Sequence, residues 1–333
     1  MLIWLQFIAC TAAIVYSGSR LSRYGDIIAE KTGMGRLWVG ALLVAMVTSL
    51  PELISGVSAV TAFDLPEIAV GGVIGSCMFN ILVIALVDAL TGRKSMHGDL
   101  NEGHVLSAGF GILMLGLITL NLCVGAVLPS LGWVGISSVL FILLYLLAMR
   151  VIFLYNKKKI AEHIRELARE YRYKRYSLKR AVLLYALNAA VIVAAAAYLP
   201  ELGARIAETT GLTQTFVGSF FIALATSLPE VVVTVAAVRM GAVDLALGDL
   251  FGSNLFNVAI LAIDDFAYTK GPILAAVSGH HVVIAAAAIA MTATAIIGLT
   301  YRQIKKSAFL AWDSIGILAI YIVGQVILFT LGR

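Results

Sequence analysis

The sequence predicts an all-α polytopic membrane protein, with ten transmembrane helices in two inverted-topology five-helix repeats. Three observations carry this. The 333 residues are 61% hydrophobic and 13% charged, roughly half the charged share of a soluble domain. The mean hydropathy is +0.97. The charges are clustered and leave long gaps, among them 1–19, 68–87, 105–149, 181–200 and 271–301. Each gap can hold a membrane helix of about 20 residues. Finally, two short sequence blocks each occur twice, in the same order.

Taken along the chain, the spans are expected near 2–17, 37–62, 67–90, 104–122, 130–154, 181–199, 213–237, 244–266, 274–298 and 308–331. Residues 1–17 lack a basic leader region and a small-residue cleavage site before Arg20, so they read as a first membrane helix. Connections are short except near 155–180. Cys10, Cys77 and Cys123 are scattered through apolar segments without ligand spacing and read as small buried hydrophobes.

Basic residues set the expected orientation, because cytoplasmic loops carry the excess of Lys and Arg. One side collects Arg20, Arg23, Lys31, Arg36, Arg93, Lys94, the cluster 157–180, Arg239, Arg302, Lys305 and Lys306; the other collects Arg205, Lys270 and Arg333. Both termini are therefore expected outside a prokaryotic plasma membrane, with the 155–180 loop in the cytoplasm. In that loop Ile160, Ile164, Leu167 and Tyr171 recur at helical spacing among basic residues. A helix on the anionic inner leaflet and a solvated, topology-setting linker both fit. Nucleic-acid binding does not fit beside ten membrane spans.

The repeat is the strongest signal. Thr-Ser-Leu-Pro-Glu occurs at 48–52 and 226–230, an offset of 178 residues; the second block, Gly75-Ser76-Cys77-Met78-Phe79-Asn80, returns as Gly252-Ser253-Asn254-Leu255-Phe256-Asn257, an offset of 177. Asp88 and Asp265 share the offset of 177. The chain thus divides into a first repeat, 1–155, a basic linker, 156–180, and a second repeat, 181–333. Five spans per repeat force opposite orientations, a common plan of secondary transporters that bind substrate near the bilayer midplane.

The blocks carry oxygen chemistry. A proline inside a helix removes an N–H and clashes with the carbonyl four residues back, so Pro51 and Pro229 are expected to kink or unwind the backbone and free carbonyls near Thr48 and Thr226. Glu and Thr four apart share a helix face, as do Ser76 with Asn80 and Ser253 with Asn257. Gly75 and Gly252 allow close helix approach. Together the segments offer two carboxylates, amides, hydroxyls and carbonyls. A hard cation such as Ca²⁺ takes about six to eight such oxygens, whereas soft metals favour thiolate ligands. Two glutamates also balance a divalent ion formally.

These blocks resemble those of the cation/Ca²⁺ exchanger superfamily, in its Na⁺/Ca²⁺ exchanger branch of prokaryotic type, whose two repeats carry G-T-S-x-P-E/D and G-S-N-x-F-N/D. The resemblance implies central carboxylates at Glu52 and Glu230 and backbone oxygens from Thr48 and Thr226. It implies Na⁺-binding hydroxyls at Ser49, Ser76, Ser227 and Ser253, flanking carbonyls at Ala45 and Ala223, and the last site position at Asn80 and Asn257. The chain departs from the family pattern at Val47 and Ala225, which replace glycine, and at Cys77, which replaces asparagine. Asn257 stands where several members carry aspartate, which argues against K⁺ dependence. Asp249, opposite the neutral Gly72 of the first repeat, fits either a displaced acid for protons or cations, or a solvated capping residue.

The remaining polar residues are expected to be structural. His280 and His281 lack a partner motif, Asn188 and Asp313 read as helix–helix hydrogen-bonding residues, and Asp88 and Asp265 sit near span ends as gates or anchors. The expected function is Ca²⁺/Na⁺ antiport by alternating access. The family likeness makes the first and sixth spans the moving pair. A H⁺-coupled antiporter and, in another class, a cation channel are the alternatives. Nothing supplies an enzyme's nucleophile with its base or a zinc motif. No tightly bound cofactor is expected: Ca²⁺ and Na⁺, or H⁺, enter as transported ions, with the lipid bilayer as the other partner.

Overall fold

The computed structural model of the chain describes residues 1–32, 48–91, 102–124, 128–167, 177–301 and 310–331. Nearly all of them are helical: α1 (Leu2–Thr32), α2 (Leu50–Thr61), α3 (Pro66–Leu90), α4 (Gly103–Val124), α5 (Ile136–Leu167), α6 (Leu178–Thr210), α7 (Gln214–Val217), a π-type turn at Gly218–Ile222, α8 (Ala223–Arg239), α9 (Val243–Ala267), α10 (His281–Tyr301) and α11 (Trp312–Leu331). Among the described residues, nine helical stretches are long and apolar enough to cross a membrane. The twelve-residue α2 is shorter, and the predicted span that contains it begins in residues outside the described ones.

Several boundaries move from their expected places for local reasons. The first helix runs on to Thr32, well past its expected end near 17. The fifth begins at Ile136 because Ser130–Leu131 and Val134–Gly135 pair as a small antiparallel hairpin around Gly132 at φ +66°. The ninth begins at His281, after a 3₁₀ turn at Ile273–Ala275. Helix α6 contains Pro200 and continues to Thr210. It ends at Gly211, whose φ of +74° and N–H bond to the Ala207 carbonyl close the helix, the left-handed cap that glycine adopts without penalty. Helix α5 runs beyond the membrane-length stretch to Leu167; residues 168–176 of the basic linker lie outside the described ones.

The helices divide into an inner set and an outer set. In α3 and α9, 83% and 78% of the most apolar stretch is buried, against 22% in α1 and 17% in α6. The outer helices turn leucine and valine outward, as helices solvated by lipid do. The inner pair starts with an acid in the first turn, Glu67 in α3 and Asp244 in α9, where the N-terminal end of the helix dipole favours it. Lys270, just past α9, donates to Asp64, just before α3, at 2.6 Å. The end of one inner helix therefore lies beside the start of the other, and the two run in opposite directions. Hydrogen bonding to Asp64 raises the Lys270 ammonium above its ordinary pKa.

Close packing at the centre depends on glycine. A Cβ built on Gly75 of α3 would stand 2.5 Å from the Cα of Ser219 in the π-type turn. One turn earlier, Gly71 faces the backbone of the same turn. Backbone meets backbone here, the small-residue packing typical of helices in lipid.

Asp88 and Asp265 are anchors. Asp265 accepts from Gly135 N at 2.8 Å, Ser138 Oγ at 2.6 Å and Ile273 N at 2.6 Å, fixing the start of α5 and the 3₁₀ turn to the end of α9. Asp88, at the end of α3, accepts from Ala311 N at 2.7 Å, just before α11. Asp313 packs against Gly298 of α10. Asn188 corrects its expectation: its amide donates to Leu184 O of its own helix at 2.7 Å, a local bond open to short polar side chains.

Candidate cation site

The two Thr-Ser-Leu-Pro-Glu blocks are held in different backbone states. In the first, the chain breaks at Ser49 (φ −85°, ψ 11°) and α2 starts at Leu50. Pro51 falls in the first helical turn, where its missing N–H costs nothing. In the second, the helix stays regular through Pro229, which sits inside α8. The irregular geometry lies upstream, in the π-type turn at Gly218–Ile222. The expected opening of the backbone is thus found at Pro51 and corrected at Pro229. There Thr226 Oγ1 reaches back to the Ile222 and Ala223 carbonyls at 3.1 and 3.4 Å, engaging acceptors at the π–α junction.

The blocks converge by exchange between repeats. Ser49 Oγ donates to Glu230 Oε1 at 3.3 Å, and Ser227 Oγ donates to Glu52 Oε1 at 2.9 Å. The hydroxyl of each half serves the carboxylate of the other. The Gly-Ser blocks cross in the same way. Asn254 Nδ2 donates to Cys77 O at 3.0 Å, the Cys77 thiol points to Asn254 O at 3.8 Å, and Asn80 Nδ2 donates to Asn254 Oδ1 at 3.0 Å. Asn254, the repeat mate of Cys77, therefore makes two amide bonds where the thiol supplies only a weak one.

Thr48, Ser49, Glu52, Ser76, Asn80, Thr226, Ser227, Glu230, Ser253, Asn257 and Ala223 are all buried. Ala45 lies outside the described residues. Protein donors leave part of this oxygen set unused: Glu52 Oε2, Glu230 Oε2, Ser76 Oγ, Ser253 Oγ, Asn80 Oδ1 and Asn257 Oδ1 are buried without a hydrogen-bond partner. Buried polar atoms are rarely left so, and a buried carboxylate without compensation is costly. Two carboxylate oxygens with neutral hydroxyl and amide oxygens are of the chemical type that a hard cation takes.

Two further acids were less legible. Asp249 lies one turn before Ser253 on α9, buried, with neither oxygen partnered. Asp264 is fully buried against Gly56, one turn beyond Glu52, and its oxygens are likewise unpartnered. The spacing of Asp249 from Ser253 revealed the first of these. The second has no repeat mate of its own type, since position 87 is valine.

No sequence motif announced the partner of His281: its Nε2 lies 2.8 Å from Glu67 Oε2. Helix α1 passes close to the site: a Cβ on Gly18 would meet the Pro229 ring at 2.8 Å.

The family model described as "Sodium/calcium exchanger protein" matches residues 2–154 and 180–330. The chain is 28% identical over 277 residues to Inner membrane protein YrbG of Escherichia coli (strain K12), covering 77% of this chain and 80% of the relative. It is 26% identical over 261 residues to Sodium/calcium exchanger MaX1 of Methanosarcina acetivorans, covering 70% and 74%. In three dimensions it is similar to the H⁺/Ca²⁺ exchanger CAX, with a TM-score of 0.71 and 15% identity over 99% of this chain and 85% of that one, a likeness of fold. Since the family model spans both halves of the sequence, this chain belongs to the sodium/calcium exchanger protein family.

Proposed function

We propose that the chain is a secondary antiporter that exchanges Ca²⁺ for Na⁺ by alternating access and normally extrudes Ca²⁺. One observation carries the reading. The reciprocal Ser49–Glu230 and Ser227–Glu52 bonds draw both repeats around a single buried site, where one oxygen of each carboxylate has no protein partner. A divalent ion balances two carboxylates. Monovalent ions can occupy the same oxygens with help from the serines. Competition for one ligand set is what couples the two fluxes, because a ligand shifts an equilibrium only through differential affinity.

In this reading ten spans form two inverted five-helix repeats, 1–155 and 181–333, joined by the linker 156–180. The opposed directions of α3 and α9 and the two-part family match support it. Both termini face outward from a prokaryotic plasma membrane and the linker faces the cytoplasm; the one-sided distribution of basic residues supports this orientation. Helices α1 and α6 pack along each other through Leu21 and Ile192, and through Ile27 and Ala181. They form the pair that moves past the site. Two inverted halves in one chain favour a transporter over a channel.

Proton coupling is the second reading. Asp249, buried with both oxygens unpartnered, is an acid that can carry a proton beside the ion site. Ca²⁺-loaded proteoliposomes distinguish the two. Efflux driven by a Na⁺ gradient at fixed pH supports Na⁺ coupling, and efflux driven only by a pH gradient without Na⁺ refutes it. Glu52→Gln and Glu230→Gln should each abolish exchange while the protein remains folded and monodisperse. Retained exchange in either variant would overturn the site.

A further inference from the structure

Glu67, the second residue of α3, is held by three groups of the other half of the chain. Its Oε1 accepts from Ser278 N at 2.6 Å; its Oε2 accepts from Thr215 Oγ1 at 2.7 Å and lies 2.8 Å from His281 Nε2. Thr215 belongs to α7, directly before the π-type turn that leads into the site, and His281 is the first residue of α10. At the start of the other inner helix, Asp244 Oδ1 lies 2.8 Å from Nε2 of His104, the second residue of α4.

The two pairs are repeat mates. Positions 67 and 244 are 177 residues apart, and so are 104 and 281, the offset of the Gly-Ser blocks. The acid of each half meets the histidine of the other half, once at each end of the antiparallel α3–α9 pair. Neither pair belongs to the ion site: Ser76 lies nine residues along α3 from Glu67, about 13 Å of helix. A buried imidazole facing a carboxylate is costly to assemble unless the geometry is good. Here that arrangement occurs twice at the repeat spacing. The pairs differ in one respect: both histidines are buried, but the Glu67 side chain is 24% exposed and the Asp244 side chain 55%.

We infer that Glu67–His281 and Asp244–His104 are positioning residues of the transport cycle, a duplicated pair of clamps that tie the start of each site helix to the opposite repeat, one at each entrance to the site. The inference rests on the antiport reading and adds to it the groups that balance the two open states. Release of a clamp favours opening at its own end. The site then spends more time facing that end, where its apparent affinity rises, and less time facing the other. Because the clamps sit at opposite ends, releasing them has opposite effects. A purely structural tie has no such sidedness.

The test measures the Ca²⁺ concentration for half-maximal exchange at each face of oriented proteoliposomes, for the wild type, Glu67→Gln, Asp244→Asn, and the exchange double variant Glu67→His with His281→Glu. Removing one charged hydrogen-bond partner is expected to move the two half-saturations roughly tenfold apart. The two single variants should move them in opposite senses, and the exchange variant should bring them back toward the wild type. Shifts in the same sense, or equal half-saturations at both faces in both single variants, overturn the inference. Asp244 is half-exposed, so Asp244→Asn together with His104→Gln keeps the test decisive if the buried pair does not tolerate substitution. A wild type that moves no Ca²⁺ under either gradient sinks the antiport reading separately. The clamps are then scored by labelling Ser253→Cys, in a variant whose Cys10, Cys77 and Cys123 are each changed to Ala, with an impermeant maleimide from each face. The same opposed shifts are expected, and labelling unchanged by either clamp variant refutes them.

Discussion

Gly75→Ala adds one methyl group at the closest backbone contact in the inner helices. The new Cβ would stand 2.5 Å from Ser219 Cα and 2.8 Å from its carbonyl carbon. Carbon atoms settle at about 3.5–4.0 Å, so α3 and the π-type turn must part by about 1 Å. The atoms it meets, all of Ser219, are backbone and cannot rotate away. Two terms oppose each other. Alanine favours the helix over glycine by about 0.8–1 kcal/mol, and overpacking costs about 1–3 kcal/mol. With backbone on both sides the cost falls toward the upper end and outweighs the gain. The thermal midpoint of the purified protein should fall by several degrees. The displacement also reaches Ser76 and Asn80, which follow Gly75 on the same helix, and Ca²⁺–oxygen distances tolerate only a few tenths of an ångström. The half-saturating Ca²⁺ concentration should rise at least tenfold. Gly109→Ala and Gly116→Ala are the controls, since a Cβ at either meets nothing within 4 Å. A Gly75→Ala protein matching these controls in both stability and exchange would refute the packing argument.

Two further substitutions separate buried from exposed polar contacts. Asp265→Ala strands three donors, Gly135 N, Ser138 Oγ and Ile273 N. At about 1–3 kcal/mol for each stranded buried group, it should lower the thermal midpoint far more than Asp265→Asn, which keeps an acceptor oxygen. Lys270→Ala removes an exposed ion pair to Asp64. Solvent screening makes such pairs weak, so the midpoint should not change measurably in the same thermal assay.

The spans were legible because charge is excluded from them. Their ends were not, because the chain ends helices by local geometry that hydropathy does not register. The apolar run before His281 becomes a 3₁₀ turn, and the run around Trp133 becomes a hairpin. The paired blocks singled out the candidate residues by identity and spacing; the structure joins Ser49 to Glu230 and Ser227 to Glu52 and buries the other described ones. Which hydroxyl serves which carboxylate was not legible, since the bonds run between halves some 180 residues apart. The histidine–acid pairs were open to simple arithmetic at the offset of 177. They escaped notice because one mate is Glu67 and the other Asp244, so no identical block announced them. Asp264 offered no signal of that kind: its place beside Gly56 follows from how α9 packs on α2.

The unlike backbones around Pro51 and Pro229 carry a wider meaning. The same five residues, Thr-Ser-Leu-Pro-Glu, straddle a break at Ser49 in one half and lie within a continuous helix in the other. A sequence that supports both shapes is close to degenerate between them. If the halves trade shapes as the site turns from one side to the other, whatever the first half gains the second gives up. The bias between the two orientations then rests on the positions where the halves differ, Cys77 against Asn254 among them. Under the antiport reading, the two orientations of such a molecule lie close in energy, and an ion that binds one of them better decides between them.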